Sequence, residues 1–139
     1  MMQFEEQIVI AAPPEKVFVL YENVAAWSSW DPDVKTSSIE GSFSSGASGS
    51  LQPSSGPKAK IKSIEVMPSR SFTVEAKLPL CVMRFEHELT PLPSGTSAKH
   101  RVTFQGVLAP FFGRVIGYQI RKGLPNTLQG LKRAAEHQS

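Results

Sequence analysis

The feature that most constrains the fold is the stretch "VMRFEHELTPLPSGTSAKHRVTFQG", from Val82 to Gly106. It consists of two runs in which apolar and polar residues alternate, separated by a short segment rich in Pro and Gly. Alternation with a period of two is typical of strands that bury one face, and Pro and Gly favour a turn. The stretch therefore predicts an antiparallel hairpin.

One register satisfies both faces of this hairpin, and it places His87 opposite His100. It sets apolar residues across from each other on the histidine face and opposite charges across from each other on the other face: Leu89 with Ala98, Phe85 with Val102, Met83 with Phe104, Glu88 with Lys99, and Glu86 with Arg101. Cross-strand pairs of opposite charge are favourable by about 0.2–1 kcal/mol each, so the apolar and charged patterns support the same register independently. A tight turn at Pro79 likewise predicts Glu75 opposite Arg84.

Other segments predict further strands and two short helices. Alternation from Phe4 to Ile10 indicates a first strand, and Pro13 and Pro14 end it and open a helix. Asn23 is the expected N-cap of a second short helix. The Ser- and Gly-rich region from Thr36 to Gly56 predicts two weak strands, and stronger strands are expected from Lys58, Ser71, Cys81 and Ser97.

The carboxyl-terminal part of the chain has a helical period. Its apolar residues form one stripe: Phe112, Ile116, Ile120, Leu124, Leu128, Leu131 and Ala135. The pattern predicts one long helix from about Pro110 that covers the sheet, with a kink where Pro125 follows Gly123. Together the elements indicate an α+β fold.

Length and composition limit the class of protein. A chain of 139 residues suits one domain spanning 1–139, and Cys81 is its only cysteine. The amino-terminal residues lack the order of a signal peptide, and no apolar run reaches the ~20 residues of a membrane span. We expect a protein of the reducing cytoplasm with no integral membrane segment, in which Cys81 is a small core residue.

The positive charge does not indicate a nucleic-acid partner. The formal net charge is +3, and the cations of the predicted outer sheet face alternate with Glu75, Glu86 and Glu88. No exposed aromatic platform accompanies them, whereas proteins that bind single-stranded nucleic acids combine a basic groove with stacking residues. We interpret this face as a solvated lattice of ion pairs.

The order of elements and several local sequences resemble the START-like, polyketide cyclase/dehydrase-like superfamily (SRPBCC), whose fold is the helix-grip. The segments "APPEKVFVLYENVAAWSSWDPDV", "FEHELTPLPSGTSAKHRVTFQG" and "LPNTLQGLKRAAE" are similar to its opening helix pair, final hairpin and terminal helix. The resemblance covers nearly the whole chain. It implies a curved antiparallel sheet wrapped around a long terminal helix, with an apolar cavity between them.

The resemblance and the predicted register together give a set of expected cavity residues. The sheet wall is Phe72, Val74, Met83, Phe85, Val102 and Phe104, with His87 and His100 among them; Ile116, Ile120 and Leu124 lie opposite, and Trp27 stands at the mouth. Trp27 and Trp30 are equally accounted for as core and turn packing. The two histidines either form a buried hydrogen-bonded pair, with each other, a tyrosine or water, or contact a ligand directly.

Three functions remain open from the sequence. The first is binding of a small hydrophobic, partly oxygenated ligand such as a polyketide, quinone or lipid. The second is a cyclase/dehydratase-type enzyme with His87 or His100 as acid or base, and the third is a protein-interaction module. The sequence contains no phosphate loop, zinc spacing or serine elbow, so it predicts no metal and no cofactor. It does not determine the oligomeric state.

Overall fold

A seven-stranded antiparallel sheet organises the chain in a computed structural model that describes residues 2–54 and 57–137. The elements are β1 (Met2–Ile10), α1 (Pro14–Glu22), a 3-10 helix (Val24–Ser29), β2 (Val34–Ile39), β3 (Ser48–Pro53), β4 (Ala59–Met67), β5 (Ser71–Leu78), β6 (Cys81–Leu92), β7 (Gly95–Gln105), α2 (Ala109–Val115) and α3 (Gly117–His137). The sheet order is β1-β7-β6-β5-β4-β3-β2, and the sheet curls around α3. The helix-grip arrangement and the α+β class are confirmed.

The predicted hairpin register is confirmed at every pair. His87 lies opposite His100, and the apolar and charged couples on either side of it follow the expected alternation. In the neighbouring pair of strands, Glu75 lies opposite Arg84. The Arg84 Nε donates a hydrogen bond to Glu75 Oε2 at 2.9 Å.

The outer face of the sheet is a lattice of ion pairs, as its sequence predicts. Arg101 joins three strands, because its Nε lies 2.8 Å from Glu5 Oε1 on β1 and its Nη1 lies 3.0 Å from Glu86 Oε2 on β6. All three side chains retain contact with solvent. Exposed pairs of this kind contribute little to stability individually, typically below about 1 kcal/mol, but they fix the register.

The two short helices after β1 form at the expected place, but the predicted cap does not. Asn23 makes no side-chain capping bond, and the second helix is a 3-10 helix rather than an α-helix. The backbone carbonyl of Asn23 accepts the Ala26 amide instead, at 3.0 Å. The tighter 3-10 turn starts directly where α1 ends, so the Asn23 side chain is not aimed at the amides of the next turn.

The weak strands predicted between Thr36 and Gly56 are present as β2 and β3, which form the far edge of the sheet. Ser55 and Gly56, the last residues of that region, lie outside the described residues. β4 pairs with β5 across a register shift between Ser63 and Glu65. Such irregularities increase local twist and help a sheet to curl.

The predicted long terminal helix is confirmed as α3, but the helical segment that begins near Pro110 is divided. The structure contains α2 and α3, which meet at Ile116. The break falls where buried Gly117 lies against the Phe4 ring so closely that a Cβ would collide with it. A glycine weakens a helix and permits this close approach. Pro125 lies inside α3, on its exposed side, and the kink there stays a prediction.

The loop between the 3-10 helix and β2 packs against small residues on α3. A Cβ at Gly130 would overlap the carbonyl oxygen of Trp30, and one at Gly123 would overlap the carboxylate of Asp33. Thr127, between the two glycines on the same helix face, donates a hydrogen bond to Asp31 Oδ1 at 2.8 Å. The loop from Trp30 to Asp33 is therefore seated directly on the α3 backbone.

Two apolar clusters fill the interior. The larger contains the inner faces of α1 and the 3-10 helix with the central strands and the end of α3; the smaller contains Cys81, Val102, Phe104, Ala109 and Leu124. Burial of Cys81 agrees with its predicted role as a core residue. A cavity separates parts of these clusters and is described below.

We expect Gly130→Ala to destabilise the fold although alanine is the better helix former. The new methyl group must displace the Trp30 carbonyl, which is a backbone atom, so the cost lies in the upper part of the usual range for overpacking, about 2–3 kcal/mol, and exceeds a helix-propensity gain of about 1 kcal/mol. Urea denaturation should show a net loss of about 1–2 kcal/mol. Gln129→Ala, at the exposed neighbouring position, is the control and should stay within about 0.5 kcal/mol of the parent. An unchanged midpoint for Gly130→Ala would mean that the loop is not seated on α3.

Candidate ligand cavity

A cavity of about 340 Å³ lies between the concave face of the sheet and α3. Eleven of the twelve residues predicted from the sequence line it: Trp27, Phe72, Val74, Met83, Phe85, His87, His100, Val102, Ile116, Ile120 and Leu124. Its wall is mainly apolar, and its volume lies within the range of about 300–1,000 Å³ seen for small-molecule sites. Asp33, Pro57 and Gln119 line the cavity and are also exposed, so they mark where it reaches solvent.

Phe104 is the predicted residue that does not line the cavity. It is fully buried in the smaller cluster, and its ring meets the Phe4 ring edge-on at 6.2 Å between centroids. Phe104 and Met83 are paired across the strands, but Phe104 lies at the end of β7 that is covered by the start of α2. It packs in the same cluster as Val102 and Leu124, which do line the cavity.

Four rings meet at the cavity wall in the middle of the sheet. The Phe72 and His87 rings stack in parallel at 3.8 Å, and the His87 and His100 rings meet edge-on at 4.5 Å. Tyr21, from α1, lies against all three. Its hydroxyl is 2.8 Å from His100 Nε2. We refer to Tyr21, Phe72, His87 and His100 as the ring cluster.

The hydrogen bonds of the ring cluster define which histidine nitrogens carry protons. The carbonyl oxygen of Phe72 can only accept, so His87 Nδ1, at 3.3 Å from it, must be the donor. That leaves His87 Nε2 as an acceptor. The Tyr21 hydroxyl proton has no other acceptor among the described residues, so it is donated to His100 Nε2. His100 Nδ1 then carries the hydrogen and is a donor.

Burial keeps both imidazoles neutral. It lowers the pKa of His87 to about 4, although the bond to the Phe72 carbonyl opposes the shift. It also lowers the pKa of His100 well below its usual value, with a smaller contribution from repulsion by His87. His87 still has accessible surface, and because the ring lies deep in the protein this surface belongs to the cavity wall. The site therefore presents one acceptor and one donor, both uncharged, in an apolar surround.

The sequence analysis did not single out Tyr21. It named an unspecified tyrosine as one possible partner of the histidines, and Tyr21 has the helical spacing with Val17 and Phe18 that places all three on one face of the first helix. A tyrosine on a fully buried helix face needs a partner for its hydroxyl, and the inward-facing histidines were the available acceptors. That requirement is the signal that could have connected α1 to the hairpin.

A second polar group at the cavity wall comes from the loop seated on α3. Asp31 Oδ1 accepts hydrogen bonds from the Asp33 amide at 2.9 Å and from the Thr127 hydroxyl at 2.8 Å. Burial raises the pKa of Asp31 to about 6, with a small addition from the charge of Asp33, and it also raises the pKa of Asp33. No local pattern in the sequence indicates this role for Asp31, because its partner Thr127 is 96 residues away.

Trp30 adds an unsatisfied donor beside this loop. Its indole is buried and lines the cavity, and its Nε1 has no hydrogen-bond acceptor among the described residues. Trp27 differs, because its Nε1 donates to the Tyr21 carbonyl at 3.1 Å. Trp27 is therefore a fixed part of the wall rather than a side chain at the mouth. Unpaired buried donors are costly, which makes the Trp30 N–H notable in an otherwise apolar wall.

The described residues contain no group of three or more His, Cys, Asp or Glu side chains placed to hold a metal ion. No helix within residues 2–54 and 57–137 combines the length and apolar character needed to cross a bilayer.

Comparison with known proteins agrees with this architecture. Residues 1–136 match the family described as polyketide cyclase / dehydrase and lipid transport. The chain belongs to this family. No individually curated protein matches the chain at a significant level of similarity.

Several solved structures share the fold of this polyketide cyclase/dehydrase and lipid transport family member at low identity. Protein MLL2253 from Mesorhizobium loti is 16% identical with a TM-score of 0.79, and 99% of each chain is covered. The Aha1 dimer from Colwellia psychrerythraea is 17% identical with a TM-score of 0.74, covering 99% of this chain and 98% of that one. The di-domain ARO/CYC StfQ from the steffimycin biosynthetic pathway is 15% identical with a TM-score of 0.74, covering 96% of this chain and 50% of that one.

We expect His87 and His100 to stay neutral in the folded protein well below pH 6.5. NMR titration of the imidazole resonances should show His87 with a midpoint near pH 4. Because both groups bind protons more weakly when folded, they reduce stability as the pH falls from about 6.5 towards 4. Free titration of both rings near pH 6.5 would show that they are solvated and independent.

Asp31 should destabilise the parent protein as the pH rises, the reverse of the histidines, and Asp31→Asn should remove this effect. Asn keeps the Oδ1 acceptor for Thr127 and the Asp33 amide but cannot become charged. The raised pKa of Asp31 means that its ionisation disfavours the folded state. The parent therefore loses folding stability as the pH rises from about 4 through 6. In urea denaturation the variant should be more stable by about 1–3 kcal/mol at pH 8 and equal to the parent at pH 4. A constant difference across this range would contradict a buried, titrating carboxyl.

Proposed function

We propose that this protein binds a small, largely apolar and partly oxygenated ligand in the cavity between the sheet and α3. The ring cluster is the single observation that carries the proposal. His87 Nε2 and His100 Nδ1 offer one acceptor and one donor on neighbouring rings, and neither is used by the described protein atoms. A ligand with a hydroxyl near a carbonyl could satisfy both.

The rest of the wall supports the same class of ligand. Apolar side chains make up most of the wall, so a flat or chain-like hydrocarbon part gains about 25 cal/mol per Å² of area removed from water. The neutral state of both imidazoles favours uncharged oxygen groups over anions, since no cationic ring is present at neutral pH to pair with a carboxylate. The family description, which names polyketide chemistry and lipid transport, agrees with such a ligand.

A second function, of the cyclase/dehydratase type, is favoured by one observation. The cavity has a neutral imidazole able to accept a proton and, at Asp31, a carboxyl whose pKa of about 6 lets it exchange protons near neutral pH. A carboxyl with such a pKa suits proton transfer near neutral pH, whereas His87, with a pKa of about 4, is a weak base there. Under this alternative His87 removes a proton from an oxygenated chain and Asp31 supplies one. The interaction-module alternative gains no support from a fold whose interior is hollow.

The ligand preference is tested with 2-naphthol and naphthalene as matched probes. We expect the parent protein to bind 2-naphthol more tightly, because its hydroxyl can donate to His87 Nε2. His87→Phe should retain naphthalene and reduce this preference about fivefold to tenfold, the effect of one buried hydrogen bond. Isothermal titration calorimetry gives both affinities.

The control for this test is Met83→Leu, which alters the apolar wall without removing a polar atom. It should change the affinity for both probes by similar factors. If His87→Phe leaves the preference for 2-naphthol unchanged, the ring cluster does not recognise oxygenated ligands. If neither probe binds the parent protein, the cavity itself does not serve this class of ligand.

A further inference from the structure

Exposed apolar side chains gather at one end of the molecule. Leu80, Val107, Phe111, Val115 and Tyr118 are between 57% and 80% exposed, and we call them the apolar ridge. The remaining large exposed apolar residues in the described part of the chain, Val9, Val19 and Met67, belong to other elements. Contiguous apolar surface on a protein indicates an interaction site, whereas single exposed residues do not.

The ridge is continuous because two segments are tied together. The Leu108 amide donates a hydrogen bond to the Leu80 carbonyl at 3.1 Å, which holds the β5–β6 turn against the segment before α2. Phe111 and Val115 are four residues apart and share one face of α2, and Tyr118 follows in the first turn of α3.

Leu80 is unusual for its place in a turn. Its φ is +52°, in the left-handed region that favours Gly or Asn, and its side chain is exposed. Turn geometry therefore disfavours leucine here, and burial within the chain does not compensate. Contact with an apolar surface outside the chain would account for a leucine at this position.

The chain segment from Val107 to Lys122, which carries four of the five ridge residues, has only positive charges, and Glu5 and Glu6 of β1 line a small pocket with its Arg121. No Asp or Glu occurs between Leu89 and Ala135, whereas Arg114, Arg121 and Lys122 lie within or directly after the ridge segment. Lys122 Nζ lies 5.0 Å from the centre of the Tyr118 ring. Neither Arg114 nor Lys122 forms an ion pair with another described residue. Apolar side chains interspersed with unpaired cations complement an anionic lipid surface.

The ridge also borders the cavity. Val115 and Tyr118 face outward, while Ile116 and Ile120 on the same segment line the cavity wall. Gln119, next to Tyr118, lines the cavity and is exposed. A surface that covered the ridge would therefore lie beside the route between cavity and solvent.

We propose that the apolar ridge docks this protein onto an anionic lipid bilayer, with the cavity opening next to the membrane. A second copy of the chain fits the ridge less well, because a symmetric contact would bring the same cations together without an acidic partner. This inference goes beyond ligand binding. Its test needs no cavity ligand, so failure of docking and failure of ligand binding give different results.

The experiment is vesicle flotation of the full chain. Vesicles of phosphatidylcholine alone should bind little protein, and vesicles in which phosphatidylserine is about one third of the lipid should bind it in a manner weakened by added salt. Phe111→Ser/Val115→Ser should reduce this binding about tenfold or more by removing apolar insertion. Val9→Ser/Val19→Ser, at similarly exposed positions, should stay within about twofold of the parent.

A second pair of variants tests the charges without altering apolar surface. Arg114→Gln/Lys122→Gln should weaken binding to the anionic vesicles about tenfold or more, at about fivefold per cation. Lys60→Gln/Arg70→Gln makes the same change in net charge elsewhere on the surface and should have little effect. Each variant is shown to be folded by retained uptake of 2-naphthol. If the parent takes up neither probe, an unchanged midpoint of urea denaturation serves instead.

Three outcomes would overturn the proposal. The first is no binding to anionic vesicles, or equal binding to neutral ones. The second is equal loss in the ridge variants and their controls. The third is a dimer in sedimentation velocity that Phe111→Ser/Val115→Ser dissociates, which would assign the ridge to a second copy of the chain.

Discussion

The hydrogen bond between the Tyr21 hydroxyl and His100 Nε2 is the interaction on which the interior depends. It joins α1 to the middle of β7, and the stacked rings of His87 and Phe72 extend the connection across β6 to β5. An unpaired hydroxyl or imidazole at this depth would cost about 1–3 kcal/mol, so each partner is needed by the other.

The same interaction gives the cavity its chemical character. Because Tyr21 donates to His100, and Phe72 accepts from His87, the two remaining nitrogens differ in role and remain available. Burial excludes the charged forms, and the rings keep their hydrogen-bonding capacity without becoming cations. At the other polar group, burial acts on Asp31 in the opposite direction and favours the protonated carboxyl. Burial therefore shifts the pKa values of both groups in the direction that favours their uncharged forms.

Glycine determines how closely the two layers approach. Gly117 allows β1 to meet the helical segment at the Phe4 ring, and Gly130 allows the loop before β2 to rest its Trp30 carbonyl on α3. These contacts hold the start of α3 against β1 and a later part of it against the loop, and Ile120 and Leu124 between them line the cavity.

The sequence by itself determined the strands, their register and the side chains of the concave face. Alternating apolar residues and opposite charges gave two independent constraints on the pairing of β6 and β7, and this placed His87 beside His100 and aimed both inward. Eleven cavity residues followed from that register, from the helical stripe of the terminal segment and from the family resemblance. These features were predictable because period and charge pairing act between neighbours in a strand, a hairpin or a helix.

Only the tertiary structure decided which distant groups complete the site. Tyr21 and His100 are 79 residues apart, and Asp31 and Thr127 are 96 residues apart, so no local pattern connects them. The division of the terminal helix at Ile116 and the displacement of Phe104 from the cavity wall likewise depend on β1 and α2 packing against them. Local periodicity specifies which face of an element is buried, whereas the partner it is buried against depends on how the whole sheet curls around α3.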